Sequence, residues 1–226
     1  SEVLNTSVRN RVAICNANTL VRSARDPKIK NLINNFTIKT PDGFPVAKAL
    51  SFLTKQKFSR VDGYKVFLKT IEDGIGNHKK HYFFGNNEDT TLLMIDKLND
   101  MFPKIKIVGH ICPEFTSGSE LVSKYKAVIE DVNADIIWVS LGFPKQEIFI
   151  DKLCNEVEIS TNFAAASAVP PVAIKSSIIK TLSFLSNESL WTSIVAVPYS
   201  SSKSTEWTSA GNLFFFLSMI RGFFKI

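Results

Sequence analysis

The chain lacks the features that mark several common classes of protein. It has three cysteines, Cys15, Cys112 and Cys154, which lie far apart and show none of the paired spacing of a structural zinc site. An odd cysteine count without a signal peptide predicts a protein of the reducing cytoplasm. The longest apolar stretch, at the C-terminal end, is too short to span a bilayer. Disulfide-stabilised secreted domains and membrane-spanning proteins are therefore not expected.

Several catalytic and cofactor motifs are also missing. There is no Asp-X-Asp, the usual clamp for a metal ion and a nucleotide diphosphate, and no Gly-X-Ser-X-Gly or Cys–His signature. The glycines at 74 and 76 follow a predicted helix and lack a third glycine, so they do not form a dinucleotide-binding fingerprint. His78, His81 and His110 show no metal-ligand spacing. We therefore expect no metal site and no bound cofactor.

Size and charge indicate how the chain is divided into domains and which partners suit it. With 226 residues, of which 45% are hydrophobic and 21% charged, the chain suits one main domain with an appendage. We place the domain at residues 1–190 and a Ser-rich linker with a basic, Phe-rich helix at 191–226. The net charge of +6 favours anionic partners such as sugar nucleotides or an acidic membrane. The basic residues are dispersed, with no zinc-finger or RNA-recognition spacing, so no nucleic acid partner is expected.

Predicted strands and helices alternate along the chain. Short apolar runs predict strands at 12–15, 36–39, 81–84, 105–108 and 136–139, and helical spacing fills most of the intervals between them. The Asp26-Pro27 pair is expected to end the first helix after Arg25. This alternation predicts an α/β, Rossmann-like domain in which a parallel sheet carries helices on both faces.

Residues 135–147, DIIWVSLGFPKQE, predict a ligand-binding turn. An unbroken apolar run suits a strand covered on both faces, and Gly142 and Pro144 then lead into a helix. Lys145 and Gln146 fall in the first turn of that helix, at the strand end where parallel sheets bind ligands and helix N-termini favour phosphate. The alternative is an ordinary connection between a strand and a helix.

The sequence changes character after Thr161. A Ser/Thr-rich stretch at 200–209 precedes NLFFFLSMIRGFFKI. We predict a helix in the membrane interface, with Arg221 and Lys225 at anionic head groups. Its apolar side chains are Phe214, Phe215, Phe216, Leu217, Met219, Ile220, Phe223 and Phe224. The alternative, equally weighted, is a terminal helix docked on the domain core.

Several motifs, in this order and spacing, resemble the WecG/TagA/CpsF glycosyltransferases over roughly residues 10 to 160. They are VAICNANTLVRSARDP, TPDGFPVAKAL, RVDGYKVF, YFFGN, FPKIKIVGHICPEF and ADIIWVSLGFPKQEIFI. The resemblance implies an inverting, metal-independent hexosyltransferase. It would move N-acetylmannosamine, its uronic acid or glucuronic acid from a UDP donor to an undecaprenyl-diphosphate-linked acceptor in cell-surface polysaccharide synthesis. Such an enzyme would be cytoplasmic and peripheral on the inner face of the plasma membrane, and self-association is left open.

The resemblance also assigns roles to particular residues. Asp42, the aspartate of the Asp-Gly motif, is implied to be the general base, because the attacking sugar hydroxyl must lose a proton. Its alternative role is to cap the following helix or to form an Asx-turn with Gly43. Gly85 is expected to end a strand where a side chain would obstruct a ligand. The implied substrate-binding residues are Asn16, Gly43, Arg60, Gly85, Phe115, Gly142, Lys145 and Gln146.

The sequence departs from the family pattern in places. Ile14 stands where a threonine is common, and Cys112 and Glu114 alter the Ser-Pro-Pro-Phe run. The C-terminal part lacks the expected Gly-rich turn and the arginines that help neutralise a diphosphate. These departures keep open a second interpretation, a catalytically inactive scaffold of a polysaccharide-synthesis complex. A nicotinamide-type Rossmann enzyme is a distant third.

Overall fold

The computed structural model describes residues 10–157 and 164–167 and, near the C-terminus, Leu217, Ser218, Ile220, Arg221 and Phe223. Six strands lie in this part of the chain: β1 (Asn10–Cys15), β2 (Ile38–Pro41), β3 (Lys80–Gly85), β4 (Lys106–Ile111), β5 (Ile136–Ser140) and β6 (Ala164–Ser167). The helices between them are α1 (Ala17–Arg25), α2 (Pro27–Asn34), α3 (Phe44–Thr54), α4 (Gly63–Gly76), α5 (Glu88–Met101), α6 (Gly118–Val132) and α7 (Lys145–Glu156).

The strands form one parallel sheet in the order β2-β1-β6-β5-β3-β4. From β1 the chain moves out to one edge at β2 and then crosses to β3 and to β4 at the other edge. It returns through β5 to β6, which lies beside β1. Because all six strands run the same way, their carboxyl ends lie along a single edge. That edge is where ligands bind in open α/β sheets.

Helices cover both faces of the sheet, which confirms the predicted fold class. Side chains alternate along each strand, so Phe84 and Val139 enter one core cluster, whereas Phe83 and Trp138 enter the other. The first cluster packs against helices α1, α2, α3, α6 and α7, and the second against α4 and α5. Aromatic contacts support each side: Phe84 stacks on Phe149 at 4.3 Å, and Phe67 meets Trp138 edge-on at 4.7 Å.

The predicted helix break at Asp26-Pro27 is confirmed, since α1 ends at Arg25 and α2 begins at Pro27. The Asp26 side chain accepts a 2.8 Å hydrogen bond from the Lys28 amide, and Pro27 occupies the first helical position. The second strand begins two residues later than predicted, at Ile38. Phe36 instead packs in the core, 2% exposed, as part of the connection before β2.

Strand β6 was not predicted, although it lies near the middle of the sheet between β1 and β5. Its sequence, AAAS, has no β-branched or aromatic residue. Pairing on both sides nevertheless holds it, with Ala165 opposite Arg11 and Ile137. These partner strands are distant in the chain, so a local sequence pattern does not show the pairing.

The described C-terminal residues correct part of the membrane prediction. Ile220 and Phe223 are 0% and 3% exposed and belong to the same core cluster as Phe149, and Leu217 packs against that cluster. These side chains are therefore covered by the domain, as the docked alternative expected, whereas Arg221 is exposed. The other apolar residues of that prediction (Phe214, Phe215, Phe216, Met219 and Phe224), together with Lys225, the Ser/Thr-rich stretch and the missing Gly-rich turn, lie outside the described residues. Among the helices described, none has the length and apolar character needed to cross a membrane.

Candidate functional site

Asp42 lies where three chain segments meet at the carboxyl edge of the sheet. Its amide donates a 2.9 Å hydrogen bond to the Cys15 carbonyl at the end of β1. On its other side, the Val61 amide donates to the Pro41 carbonyl at 3.2 Å, and Asp42 forms an isolated parallel bridge with Val61. The backbone around Asp42 is thus held from both sides. Such support can keep a reacting side chain in a fixed position.

The surroundings of Asp42 favour its protonated form. Burial raises the pKa of the carboxyl above its ordinary value, and the nearby negative charge of Asp62 raises it further. Arg60 and a hydrogen bond from the Gly43 backbone act in the opposite direction and are outweighed. A carboxylate with a raised pKa holds an abstracted proton more firmly than an ordinary aspartate does, which suits a general base.

The capping alternative for Asp42 is wrong. Gly43, not Asp42, occupies the N-cap position of α3, and that helix has no side-chain cap. Gly43 has φ of 94°, a left-handed conformation that glycine adopts without strain. Its predicted importance therefore has a backbone reason: it turns the chain from β2 into α3 directly beside the Asp42 carboxyl.

Asn16 has a structural role at the end of β1. It is the N-cap of α1, and its side-chain oxygen accepts hydrogen bonds from the Thr19 amide at 3.1 Å and the Thr19 hydroxyl at 3.3 Å. The predicted ligand contact would therefore come from the amide nitrogen. Asn16 is exposed at the sheet edge, so that nitrogen can be reached from solvent.

Arg60 is exposed and donates to the Asp62 carboxylate at 3.3 Å. Asp62 in turn caps α4 by accepting from the Tyr64 amide at 3.1 Å. The next residue, Gly63, packs closely on β1, since a Cβ there would lie 3.1 Å from Ile14 Cδ1. The Arg-Val-Asp-Gly element thus brings one cation and one carboxylate to the Asp42 side of the sheet edge.

A second group of predicted residues follows β5. Gly142 turns the chain with φ of 78°, and its carbonyl accepts a 3.0 Å hydrogen bond from the Gln146 amide as α7 begins. The Gln146 side chain donates to Glu147 Oε1 at 2.9 Å. Gln146 is half-buried, at the edge where the sequence placed it.

Glu147 is a buried residue beside the candidate site, and the sequence analysis assigned it no role. It is only 2% exposed. Its charge reaches the neighbouring strand: burial, and after it the Glu147 carboxylate, raises the pKa of the Cys15 thiol to about 12, with Asp42 adding a smaller contribution. Two carboxylates therefore act on the end of β1. The signal in the sequence was the apolar spacing of α7, where Glu147 falls three residues before Ile150 on the buried face.

Lys145 and Phe115 form a pair at the same end of the sheet. The Lys145 ammonium lies 4.0 Å from the centre of the Phe115 ring, which is 98% exposed. The starts of α6 and α7 are in close contact, because a Cβ on Gly118 would lie 2.8 Å from the Lys145 carbonyl oxygen. The loop after β4 and the first turn of α7 thus present one cation and one aromatic face together.

The predicted residues form two groups along one edge. Asn16, Gly43, Arg60 and Asp42 follow β1 and β2, whereas Gly142, Lys145 and Gln146, with Phe115, lie beyond β5. In the strand order β2-β1-β6-β5, three strand spacings separate the ends of β2 and β5, or about 14 Å. A ligand that touched both groups would lie extended across the ends of β1 and β6.

Comparison with known proteins identifies the family. A model of the glycosyl transferase WecG/TagA/CpsF family matches residues 1–171. The chain belongs to this family. A protein of Bacillus subtilis (strain 168) named N-acetylglucosaminyldiphosphoundecaprenol N-acetyl-beta-D-mannosaminyltransferase is 27% identical over 141 residues, which are 62% of this chain and 53% of that protein. One of Bacillus spizizenii with the same name is 26% identical over 128 residues, covering 57% and 48%. The chain spans about half the length of these curated relatives.

Within this WecG/TagA/CpsF chain, Gly85 ends β3, as predicted, and it also allows close packing of two strands. Its φ is 119°, and a Cβ at this position would lie 2.2 Å from the Ser140 carbonyl oxygen. The adjacent Asn86 amide donates to that same oxygen at 3.0 Å. The glycine therefore lets β3 approach β5 closely as both strands end. A side chain would collide with the neighbouring strand.

Proposed function

We propose that this chain transfers N-acetylmannosamine from a UDP donor to an acceptor sugar carried on undecaprenyl diphosphate. The observation that carries the proposal is the Asp42 carboxyl, which is half-buried, braced by backbone hydrogen bonds and raised in pKa. The names of the two Bacillus relatives support the choice of sugar and of an N-acetylglucosaminyl acceptor. The uronic acid of N-acetylmannosamine and glucuronic acid are the other donor sugars to test.

In the proposed reaction the acceptor hydroxyl attacks the anomeric carbon of the donor sugar. The new carbon–oxygen bond forms as the bond from that carbon to the UDP oxygen breaks, and UDP leaves with the bonding electrons. Asp42 takes the hydroxyl proton during the attack. A single displacement inverts the anomeric centre and needs only one carboxylate, which fits a site where Asp62 is already engaged by Arg60.

The group beyond β5 suits the nucleotide part of the donor. The N-terminus of α7 carries partial positive charge, and Lys145 lies in its first turn, so both would stabilise a diphosphate. Gln146 and Gly142 would line that subsite, and the open face of Phe115 would stack on a ring. We propose that these contacts support the leaving group without a metal ion. Arg60 and Asn16 would contact the sugar near Asp42.

Since the acceptor lipid is confined to a bilayer, we propose that the protein acts as a peripheral protein at the inner face of the plasma membrane. Its net charge of +6 suits an anionic surface. Exposed Arg221, beside the buried Ile220, is a candidate contact for lipid head groups.

The proposal is tested by incubating the purified chain with UDP-sugars and a short-chain lipid-diphosphate N-acetylglucosamine acceptor, followed by mass spectrometry. The expected result is an acceptor extended by one N-acetylhexosamine from UDP-N-acetylmannosamine, unchanged by a chelator, and lost in Asp42→Asn. Turnover with only a different UDP-sugar would identify that sugar as the donor instead. A folded protein that binds UDP-sugar but gives no turnover with any donor would favour the scaffold alternative.

A further inference from the structure

Three chemically different metal-binding side chains meet at the far edge of the sheet. Glu88 begins α5, His110 lies in β4, and Cys112 follows the end of that strand. One ligand atom from each lies within 4.8 Å of the other two. His110 Nε2 and Glu88 Oε1 are 2.8 Å apart. Because Glu88 is separated from the other two by more than twenty residues, no sequence spacing predicted this cluster.

The local backbone aims these side chains at one another. Pairing of β3 with β4 slips by one residue, so that His81 lies opposite Ile107 but Tyr82 lies opposite Gly109. Such a slip turns the following side chains to the other face of the sheet. Gly109 has φ of 151°, and a Cβ there would lie 2.9 Å from the Tyr82 ring. His110 and Cys112 follow this slip and are two residues apart, so their side chains point to the same side of the sheet. The start of α5 lies on that side.

From this arrangement we propose that Glu88, His110 and Cys112 form a binding site for a zinc-class divalent cation. A thiolate, an imidazole and one carboxylate are the ligand types that zinc accepts, whereas magnesium and calcium prefer oxygen alone. In a tetrahedral site with bonds of about 2.0–2.3 Å, ligand atoms lie about 3.3–3.8 Å apart. The three observed ligand atoms lie within 4.8 Å of one another, and the imidazole and carboxylate, 2.8 Å apart, would separate slightly on binding.

Coordination has a simple proton balance. Each residue contributes one electron pair, from Glu88 Oε1, His110 Nε2 and Cys112 Sγ, and a water molecule completes the tetrahedron. The Cys112 thiol gives up its proton to solvent as the sulfur binds. The proton through which His110 Nε2 contacts Glu88 leaves that nitrogen by exchange with solvent, so that the bound imidazole carries its proton on Nδ1. Without the metal, His110 pairs with Glu88, and the Cys112 thiol donates to Thr91 Oγ1 at 3.4 Å.

The position of this cluster separates it from the proposed transfer reaction. β2, which Asp42 follows, and β4 are the two outermost strands of the sheet, five strand spacings apart, or about 24 Å. A cation here is too far from Asp42 to act on the same reacting atoms. It would join the end of β4 to the start of α5 and hold the loop that carries Phe115. The inference does not depend on the proposed function.

The test measures zinc binding to the intact chain after removal of metals with a chelator. Equilibrium dialysis with elemental analysis should show one zinc per chain. Cys112→Ser and His110→Asn should each weaken binding by more than about 100-fold, since loss of even an outer-shell partner of a metal ligand costs 10–100-fold. His78→Asn is the matched control, because His78 is exposed and outside the cluster. It should bind zinc like the wild type.

Two further readouts identify the ligands directly. Cobalt(II) in place of zinc should give a near-ultraviolet sulfur-to-cobalt charge-transfer band that is absent in Cys112→Ser. Zinc at a hundredfold excess over its Kd should raise the wild-type Tm by about 5–10 °C. Without metal, the two variants should have the same Tm as the wild type, because the His110 and Cys112 side chains are only partly buried. The proposal would be overturned if the wild type bound no zinc in excess zinc, or if Cys112→Ser and His110→Asn bound zinc with the affinity of the wild type.

Discussion

The side-chain amide of Gln146 donates a 2.9 Å hydrogen bond to Oε1 of Glu147, a carboxylate that is 2% exposed. This contact couples the half-buried glutamine of the predicted ligand turn to the buried end of β1, where the charge of Glu147 acts on Cys15. Removing a hydrogen-bond donor from a buried carboxylate costs stability as well as any ligand contact. Gln146 is therefore expected to contribute both to ligand binding and to the stability of the fold.

Gln146→Ala should weaken UDP-sugar binding and also lower Tm. Loss of a hydrogen bond that leaves a buried acceptor unsatisfied costs about 1–3 kcal/mol, which for a chain of this size is about 2–12 °C. Calorimetric titration with UDP and thermal unfolding measure the two effects separately. Gln56→Ala, at an exposed position outside the site, should change neither. Normal UDP affinity in Gln146→Ala would limit the residue to a structural role.

Asp42→Asn should reduce transfer by at least about 10²-fold, the usual contribution of a general base, while fold and donor affinity stay near normal. Initial rates of acceptor glycosylation measure the loss. Asp26→Asn is the matched control, because asparagine caps α2 as well as aspartate does. Near wild-type turnover in Asp42→Asn would show that Asp42 is not the general base.

The pH dependence of transfer should follow the charges around Asp42. Since burial and Asp62 raise the pKa of the Asp42 carboxyl, activity should fall, as pH is lowered, at a higher pH than for an ordinary aspartate. Asp62→Asn removes the repelling charge but keeps the cap of α4, so the acid limb of kcat/KM should move to lower pH. Arg60→Gln should move it to higher pH. An acid limb that moves in neither variant would contradict the assignment.

Gly85→Ala should destabilise the domain by at least about 2 kcal/mol, because the new Cβ would meet the Ser140 carbonyl oxygen in a backbone conformation that alanine disfavours. Gly76→Ala is the matched control. A Cβ there meets nothing within 4 Å, so stability should change by less than about 1 kcal/mol. Urea unfolding compares the two. Equal midpoints would show that β3 and β5 do not need this close approach.

Phe223→Ala should lower the free energy of unfolding by about 3–5 kcal/mol, as expected for a buried aromatic side chain. Arg221→Ala, at an exposed neighbour, should change stability by less than about 0.5 kcal/mol. It should weaken co-sedimentation with anionic vesicles by about 1 kcal/mol, in a salt-sensitive way. Unchanged stability in Phe223→Ala would instead favour the earlier prediction that this side chain contacts the membrane. Deleting residues 212–226 removes Ile220 and Phe223 together and should destabilise the domain.

The order of most strands and helices followed from local patterns in the chain. Apolar runs such as 136–139 predict buried strands wherever they occur, because burial on both faces selects apolar residues without a break. The turn after the last such run, which leads to Gln146, predicted a ligand site where the strands end, whereas Asn16 and Asp42 were assigned by the resemblance to the family. Parallel strands bring their carboxyl ends together whatever their order in the sheet.

Other features depend on residues that are distant in the chain. The alanines of β6 became a central strand because β1 and β5 pair with them on both sides. Glu147 is buried, Phe223 lies in the core, and Glu88 meets His110 and Cys112 because separate elements pack there. Burial, pKa and ligand geometry are set by all the neighbours of a side chain, whereas a local sequence pattern contains only those that are close along the chain.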